Sequence, residues 1–521
     1  MTTTNPHLLK LSLAQKRFLW LGLGLLFLIR LLMVIQVPFA DSTESRYAEI
    51  ARKMVETNDW ITPQFDYGVP FWGKPPLHTW VAAAGMKLFG VNQFGGRIFI
   101  FLSACAMLYL LFRWVEALRG RDYALVGTVV VFSSGIFFSS MAMVMTDLVM
   151  VAGTTLAMVA FWKAIEGETQ SHWAGYGFFL GLAIGLLAKG PIAVVLAGLP
   201  IGAWVLLSGR WRDAWSRLPW LSGGLLALLI TVPWYVAAEI KTPGFLQYFF
   251  VGEHFYRYTK PGWTGDLYGD GHHRAFGTIW VYWVSGVLPW SLFFIWPLIH
   301  FRKLLSVLRR EEGTWLLYLL CWTVAPLLFF TFASNVIRTY VLTGVPAAGF
   351  LIMEMWRFTG TLKTKPSPML SMLFQFALCV ALLLYGWNYY VYTYLPDLAP
   401  RGTQKWLVAK MNSLQDAQDG DLYIYGERSY SAEFYTGGHS HVLGRNQGLW
   451  PLMSDGTRDF VAIRKGRFET LPEEVREAFE YEDSFRRYEL YREKEPVEVP
   501  AETGARQLGA GRSLAESGPR A

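Results

Sequence analysis

Cysteine and charge are both scarce in this chain of 521 residues. Only three residues are cysteines, and only 17% are charged, against about 25% in a typical soluble domain. Cys105, Cys321 and Cys379 all fall inside apolar runs, which favours packing roles over disulfides or metal ligands. The first apolar run lacks a small-residue cleavage site after it, so we expect a retained helix there and not a cleaved signal peptide.

Apolar residues are abundant instead. They make up 53% of the chain, and they repeatedly form runs of about 20 residues, which is the length that crosses a bilayer. The sequence therefore predicts a polytopic α-helical membrane protein with about eleven transmembrane helices. The predicted spans are 18–37, 97–117, 123–142, 146–165, 174–188, 190–208, 219–239, 278–300, 314–332, 337–356 and 369–394.

Lysine and arginine cluster in one set of short loops, which predicts that these loops and the N-terminus face the cytoplasm. The net charge of +7 fits this topology and does not suggest a nucleic-acid partner. Two long segments, 38–96 and 240–277, should then face outward. An odd number of spans also places the region after 395 on the outer side of the membrane.

Composition changes after residue 395, which predicts three parts: a transmembrane domain over 1–395, a small α/β domain over 396–495 and a disordered tail over 496–521. In the second part, "DLYIYG", "AEFYTG", "DFVAIRK" and "RYELYRE" are typical of short strands, and "LPEEVREAFEY" is typical of a short helix.

Polar and charged residues collect on the predicted outer face. Apolar residues recur at helical spacing over 44–55, and "KPPLHTWVAAAGMKLFG" favours a second helix, so both should lie in the membrane interface. Lys74, Lys189 and Arg338 have an ordinary interpretation as snorkelling anchors, and Asp147 as a helix cap. His254, with His272 and His273, is either a surface residue or part of a metal site.

Taken together, several cations and carboxylates on one face fit an anionic headgroup at membrane depth. Lysine and arginine hold a phosphate through charge-assisted hydrogen bonds, which low dielectric strengthens. A carboxylate can orient an attacking hydroxyl or accept its proton.

The segments "DSTESRYAEIARKM", "NDWITPQFDYGVPFWGKPPLHTW", "MVMTD", "LAKGP" and "GEHFYRY" follow one another in a recognisable order. Over about 40–350 the chain resembles the membrane glycosyltransferases that include lipid A aminoarabinose transferases and protein O-mannosyltransferases. The resemblance implies a GT-C fold and an inverting transfer of a sugar from a polyprenyl (undecaprenyl) phosphate donor. It also implies that the membrane is the cell inner membrane and that the outer side, with the C-terminal domain, is periplasmic.

The resemblance also implies roles for individual residues. Lys74 of the "KPP" segment would contact the donor phosphate, and Tyr340 would be the tyrosine of the late outer turn. Asp147 would be the carboxylate at the head of the fourth span, a catalytic residue that positions and deprotonates the acceptor hydroxyl together with Glu44 or Asp41. Further donor phosphate or sugar contacts are assigned to Arg257, Lys189, His254 and Tyr47.

Two departures from the family pattern matter. The family often has adjacent Asp and Glu before "RYAE", where this chain has Thr43 and Glu44, so the catalytic acid is open between Glu44 and Asp41. Aminoarabinose transferases also have a glutamate before the "KPP" lysine, where this chain has Gly73. A metal site built on that glutamate is lost, so we expect no metal or other cofactor.

The predicted function is transfer of a sugar to lipid A or another lipid or glycan acceptor of the cell envelope. Alternatives are a protein O-mannosyltransferase, a polysaccharide-modifying transferase and, in a different class, a transporter for a lipid-linked sugar. A transporter favours ionisable groups at the bilayer midplane or inverted repeats, and neither pattern is evident here.

Overall fold

The computed structural model describes residues 9–494 with short gaps. The gaps are 168–171, 261–262, 264, 266, 269–273, 309, 311–312, 334, 363–365, 400, 415–418, 447 and 455. The predicted disordered tail, His272 and His273 therefore lie outside the described residues.

The described chain forms two compact units. The membrane unit ends its first part at Val37, resumes at Ile50 and continues to Tyr390, while the C-terminal unit combines Pro38–Glu49 with the residues from Val391 onward. Residues 38–49, which the sequence assigned to an outer loop of the membrane domain, thus group with the C-terminal residues.

Helices dominate the membrane unit, and some helices extend into the other unit's residue ranges. They are α1 Leu13–Gln36, α2 Thr43–Thr57, α3 Leu77–Phe89, α4 Gln93–Arg119, α5 Arg121–Ser133, α6 Gly135–Ser140, α7 Thr146–Glu166, α8 His172–Lys189, α9 Ile192–Ser208, α10 Trp211–Arg217, α11 Trp220–Lys241, α12 Arg257–Thr259, α13 Thr278–Gly286, α14 Ile295–Ile299, α15 Phe301–Leu308, α16 Thr314–Thr331, α17 Val345–Phe358 and α18 Pro368–Tyr394. A π-helical segment, Gln247–Tyr256, precedes α12, and 3₁₀ segments occupy Trp290–Phe294 and Arg338–Gly344. Strands β1 Gln64–Asp66 and β2 Val69–Pro70 form a small antiparallel pair.

Six of the described helices are long and apolar enough to cross a membrane: α1, α4, α7, α11, α16 and α18. A seventh span arises if α13 and Trp290–Ile299, which meet at a bend of 105°, count as one. Helical structure covers most of every segment predicted to span. Several of these segments, however, contain helices that are shorter than expected or broken. The number of described helices long enough to span is therefore below the predicted eleven. The segment 123–142, for example, is interrupted at Ser134 between α5 and α6.

Glycines bring α7 and α8 close together. A Cβ on Gly181 would lie 2.5 Å from both the Ala157 nitrogen and the Gly153 carbonyl oxygen, and a Cβ on Gly153 would lie 2.8 Å from the Gly181 carbonyl. Small residues permit this approach of two backbones inside a membrane. Because Asp147 lies in the first turn of α7 and Lys189 ends α8, the packing brings two candidate site residues to one end of the helix pair.

The C-terminal unit is built on a mixed sheet. Its elements are α19 Lys405–Leu414, β3 Asp419–Tyr425, α20 Tyr430–Tyr435, β4 Ser440–Leu443, β5 Arg458–Arg464, α21 Glu473–Ala478, β6 Phe479–Ser484 and β7 Tyr488–Glu493. The strand order is β4-β3-β5-β7-β6, in which β3, β4 and β5 run parallel and β7 is antiparallel to its neighbours. Buried residues on both faces form two apolar clusters, one around Phe460 and the other around Val461.

The prediction of a strand at "AEFYTG" is wrong. This stretch forms most of α20 because the Ser429 hydroxyl accepts a hydrogen bond from the Ala432 backbone N–H at 3.3 Å and so caps the helix. The predicted helix at "LPEEVREAFEY" is shorter than expected, since α21 ends at Ala478 and β6 begins at Phe479.

Asp41 fastens Pro38–Glu49 to α20 within the C-terminal unit. One carboxylate oxygen, Oδ1, accepts hydrogen bonds from the Ser45 hydroxyl and the Ser431 N–H, both at 2.8 Å. The other, Oδ2, accepts from the hydroxyls of Ser429 at 2.7 Å and Ser431 at 2.6 Å. The Asp41 N–H also donates to the Gly402 carbonyl at 2.9 Å, so this residue has a clear structural role.

Substitution Gly181→Ala should destabilise the α7–α8 pair by about 1–3 kcal/mol, because the added methyl group has no room between the two backbones. The measurement is the thermal unfolding of the full chain in detergent. Gly198→Ala in α9 is the matched control, since a Cβ there meets nothing within 4 Å. Equal unfolding temperatures for the two variants would contradict the close packing.

Substitution Asp41→Ala should destabilise the C-terminal unit by about 2–4 kcal/mol, because it removes a charged acceptor from four donors. Limited proteolysis and thermal unfolding of the full chain measure the loss. The control is Asp397→Ala, which removes an exposed carboxylate from the same unit. If the two variants unfold alike, the hydrogen bonds of Asp41 contribute nothing to stability.

Candidate functional site

Lys74 lies in the turn between β2 and α3, which other loops hold in place. The Trp72 N–H donates to the Tyr268 hydroxyl at 2.9 Å, and the Trp72 indole N–H donates to the Thr242 hydroxyl at 3.0 Å. Pro75 and Pro76 then lead into α3, where a fixed φ costs little. The turn therefore presents the Lys74 ammonium group from a backbone with little freedom.

The ammonium group of Lys74 meets a buried carboxylate from a distant part of the chain. Nζ of Lys74 lies 2.7 Å from Oε2 of Glu253, whose side chain is 3% exposed. Nη1 of Arg257 lies 2.9 Å from Oε1 and 3.0 Å from Oε2 of the same carboxylate. Lys74, Glu253 and Arg257 form one largely buried group, called here the Lys74 cluster, with one more cation than carboxylate.

The two cations hold Glu253 in its charged form. Burial alone would raise the pKa of the Glu253 carboxyl, but Lys74 and Arg257 outweigh that effect and keep the pKa below its ordinary value. Glu253 belongs to the π-helical segment Gln247–Tyr256, a rare geometry that is frequent at functional sites.

A second ion pair joins α7 and α8. Nζ of Lys189 lies 2.6 Å from Oδ1 of Asp147, and both side chains are buried. The same Nζ lies 4.8 Å from the centre of the Tyr340 ring, which stacks on Phe330. Lys189 thus makes a salt bridge to Asp147 and a cation–π contact with Tyr340. These contacts bring together residues from three separate elements.

Two histidines interact both with the Lys74 cluster and with residues of the Asp147–Lys189 ion pair. His78 in α3 is fully buried, and burial, with help from the Lys74 cation, lowers its pKa to about 3, so its ring is neutral; Asp147 and Lys189 also act on it electrostatically. His254 follows Glu253 and is oriented by the Phe249 carbonyl, 2.8 Å from its Nδ1. Burial lowers the pKa of His254, and the Lys74 cation contributes.

The turn between α8 and α9 approaches His254 closely. Gly190 has a φ of +86°, and a Cβ on it would lie 2.5 Å from the Phe249 ring and 3.2 Å from the His254 ring. A residue without a side chain is required at this position. The structure thus brings Lys74, Arg257, His254, Asp147, Lys189 and Tyr340 into one region of the membrane unit, as the predicted site needs.

The other predicted residues belong to the C-terminal unit. Glu44 and Tyr47 lie in the first turns of α2, and both are buried. The guanidinium group of Arg46 lies 5.4 Å from the centre of the Tyr47 ring. Asp41 has the hydrogen bonds already described, so both of its carboxylate oxygens are engaged.

Gly73 does not fit the metal site that the family resemblance implies. A Cβ on Gly73 would lie 3.0 Å from the Phe71 ring and 3.3 Å from the Tyr268 ring, so the aromatic side chains occupy the space of a longer residue. Across the described residues, His, Cys, Asp and Glu side chains form no group of three suited to a metal ion.

Sequence reasoning assigned no role to Glu253 and His78, two polar residues of this region. Glu253 stands four residues before Arg257, which is the spacing of an ion pair on a helix, and that pattern was a usable signal. His78 follows "KPPL" directly, but nothing in the local sequence shows that it is buried.

Known proteins resemble the chain in sequence. A sequence profile of the dolichyl-phosphate-mannose-protein mannosyltransferases matches residues 17–249. Undecaprenyl phosphate-alpha-4-amino-4-deoxy-L-arabinose arabinosyl transferase from Enterobacter sp. (strain 638) is 31% identical over 57% of this chain and 52% of its own length. The enzyme of the same name from Erwinia tasmaniensis is 30% identical over 66% of this chain and 61% of its own. The chain thus matches between about half and three-fifths of the length of these relatives.

The fold has a close counterpart among solved structures. The crystal structure of ArnT from Cupriavidus metallidurans bound to undecaprenyl phosphate matches with a TM-score of 0.71, at 16% identity, over 93% of this chain and 99% of that one. The same protein in the apo state gives the same TM-score. The resemblance to the dolichyl-phosphate-mannose-protein mannosyltransferases and the aminoarabinose transferases is therefore confirmed, and this chain is a multi-pass membrane protein with the fold of ArnT.

Proposed function

We propose that the chain is an inverting glycosyltransferase that takes a sugar from a polyprenyl phosphate, such as undecaprenyl phosphate, and passes it to lipid A or another cell-envelope acceptor. The reaction takes place on the periplasmic face of the inner membrane, with the N-terminus in the cytoplasm. The names of the similar enzymes, and the undecaprenyl phosphate bound to ArnT of Cupriavidus metallidurans, support such a donor.

One observation carries the proposal: Lys74 and Arg257, 183 positions apart, converge on the same buried carboxylate. The shared carboxylate holds the two cations close together in a largely buried place, so both present their positive charge in one position. A lipid phosphate has the matching charge, and guanidinium and ammonium groups recognise it well.

In the proposed mechanism the acceptor attacks the anomeric carbon of the sugar as the bond to the phosphate oxygen breaks. Negative charge grows on the leaving polyprenyl phosphate, and Lys74 and Arg257 stabilise it. Placed donors of this kind supply several kcal/mol to a transition state. Glu253 keeps the two cations at fixed positions before the donor arrives, so less reorganisation is needed at the moment of reaction.

The carboxylates serve the acceptor. Asp147 is paired with Lys189 at 2.6 Å, a geometry that suits orienting a hydroxyl or a sugar better than removing a proton. Asp41 has a structural role within the C-terminal unit, because both of its oxygens accept hydrogen bonds from serine donors, and Glu44 remains the other candidate acid. A phosphate acceptor is already charged and needs no strong base.

A protein hydroxyl is the second candidate acceptor, because the matched profile describes enzymes that mannosylate proteins. Transport of a lipid-linked sugar would use a similar phosphate site without transfer. Identification of the glycosylated product distinguishes a lipid or glycan acceptor from a protein acceptor. Release of free polyprenyl phosphate distinguishes transfer from transport.

Lys74→Met and Arg257→Met should each lower the release of polyprenyl phosphate by about 10²–10³-fold, because each removes a stabilising charge from the leaving group. Purified chain in nanodiscs would receive polyprenyl-phosphate-linked aminoarabinose, mannose, glucose or galactose with an envelope extract as acceptor. Lys260→Met is the matched control, since it removes an exposed cation a few residues after Arg257.

A folding defect is separated from a chemical one by a double variant. Lys74→Met leaves Glu253 buried with one cation fewer, whereas Lys74→Met with Glu253→Gln removes charges of both signs. The double variant should unfold like the wild type and still fail to turn over. Wild-type turnover in either Lys74 variant would overturn the assigned site.

Turnover should not depend on an added divalent metal, since Gly73 supplies no ligand and Glu253 is engaged by two cations. The measurement compares rates with and without a chelator such as EDTA, and these rates should agree to within measurement error. Loss of activity with the chelator, and its return with one metal, would show that another set of ligands exists.

A further inference from the structure

The strand order of the C-terminal sheet has a switch point of the kind at which open sheets bind ligands. Strand β3 lies between β4 and β5, and all three run parallel. The chain therefore leaves β3 toward one neighbour first and returns later to the other. In open sheets, ligands bind outside the carboxyl ends of the strands at such a switch in strand order.

Basic residues are concentrated at this carboxyl edge. It consists of the turns 426–430, 444–446 and 464–467, which follow β3, β4 and β5, and of 485–487, which joins β6 to β7. These four turns contain seven arginine or lysine residues and one carboxylate, Glu427. Backbone hydrogen bonds hold these turns beside one another. The Lys465 N–H donates to the Arg487 carbonyl at 3.0 Å, and the Gly426 N–H donates at 2.8 Å to the carbonyl of Leu443, the last residue of β4.

Only part of this charge is neutralised nearby. Arg464 pairs with Glu427, and Arg428 pairs with Glu433, 2.5 Å from its Nε. Arg445, Lys465, Arg467 and Arg487 are exposed to solvent. Nη1 of Arg486 is buried and has no hydrogen-bond partner within the described part of the chain. A buried guanidinium donor of this kind is suited to a phosphate oxygen.

Gly426 makes room for one of these arginines. Its φ is +84°, and a Cβ on it would lie 2.8 Å from Nε of Arg445. The Arg445 side chain therefore lies directly over the carboxyl end of β3, the strand at which the strand order switches.

The basic edge continues toward the segment that holds the candidate acids. The centre of the Tyr430 ring lies 4.9 Å from the Arg428 guanidinium and 5.9 Å from that of Arg46. Glu44 and Arg486 both interact electrostatically with Tyr392. All of these residues belong to the C-terminal unit.

The opposite edge of the same sheet is different. Asp421, Asp459, Glu480 and Glu493 lie near the ends of strands there, accompanied by fewer cations. The basic character is thus a property of the carboxyl edge and not of the whole unit.

We propose that the carboxyl edge of this sheet binds the phosphate groups of a lipid-anchored, phosphorylated glycan, the acceptor of the transfer. Guanidinium groups pair with phosphate in two-pronged geometry, and several arginines spread along an edge suit an acceptor with more than one phosphate. The inference rests on the proposed function and names the chemistry of its acceptor.

The test compares two triple variants of the full chain in phosphatidylcholine nanodiscs. Arg445→Ala/Arg467→Ala/Arg487→Ala removes three exposed cations from the edge, and Lys410→Ala/Arg476→Ala/Lys494→Ala removes three from elsewhere in the unit. The probes are diphosphorylated lipid A, the same lipid A after phosphatase treatment, and phosphatidylglycerol. Transfer kinetics give the acceptor KM and the donor KM, and native mass spectrometry measures bound lipid A.

The edge variant should raise the KM for diphosphorylated lipid A about 10-fold and leave the donor KM within about twofold, while the control variant should match the wild type. In the binding measurement, phosphatase treatment of lipid A should weaken its retention by the wild type to the level of the edge variant and change retention by the edge variant little. An unchanged acceptor KM in the edge variant would overturn the proposal. Equal competition by phosphatidylglycerol would also overturn it, because the edge would then bind bulk anionic lipid.

The binding measurement keeps this inference separate from the proposed function. If wild-type chain released no polyprenyl phosphate from any donor, the transferase proposal would fail. Weaker retention of diphosphorylated lipid A by the edge variant would still support a phosphate site on the sheet, and equal retention by both triple variants would refute it.

Discussion

The contact of Lys74 and Arg257 with the buried carboxylate of Glu253 is the constraint on which the candidate site depends. Without that carboxylate, two cations would repel each other in a place with little water, and the loops that carry them would separate. With it, the β2–α3 turn and the π-helical segment are joined by charge. The two cations are thereby held close together in one position, the arrangement proposed above to bind a phosphate.

The candidate functional groups divide between the two units. The membrane unit supplies the cations assigned to the donor, together with Asp147, whereas the C-terminal unit includes Asp41 and Glu44. Residues 38–49 precede most of the membrane helices in sequence but fold with residues that follow them. A change in Asp41 is therefore expected to affect stability, and activity data on Asp41 variants need a stability measurement beside them.

The sequence was most informative where long patterns repeat. Apolar runs located the helices, and the order of short motifs led to Lys74, Asp147, Lys189 and Arg257, which the structure brings into one region. Short segments were less predictable, because "AEFYTG" alternates like a strand and becomes helical only through the Ser429 cap. The partners of Lys74 were also hidden, since a buried ion pair joins residues 179 positions apart and leaves no local pattern.

The lengths of α7 and α8 determine where the Asp147–Lys189 ion pair lies along the helix pair. Helix α7 has 21 residues and α8 has 18, so their lengths are about 32 and 27 Å at 1.5 Å per residue, close to the ~30 Å of a bilayer's hydrocarbon layer. Asp147 lies at the start of α7 and Lys189 ends α8. The lengths of the two helices therefore set the distance of this ion pair from the loop that joins them. One inserted residue in either helix would shift its charge by about 1.5 Å and turn it by about 100°, which would separate the two ions.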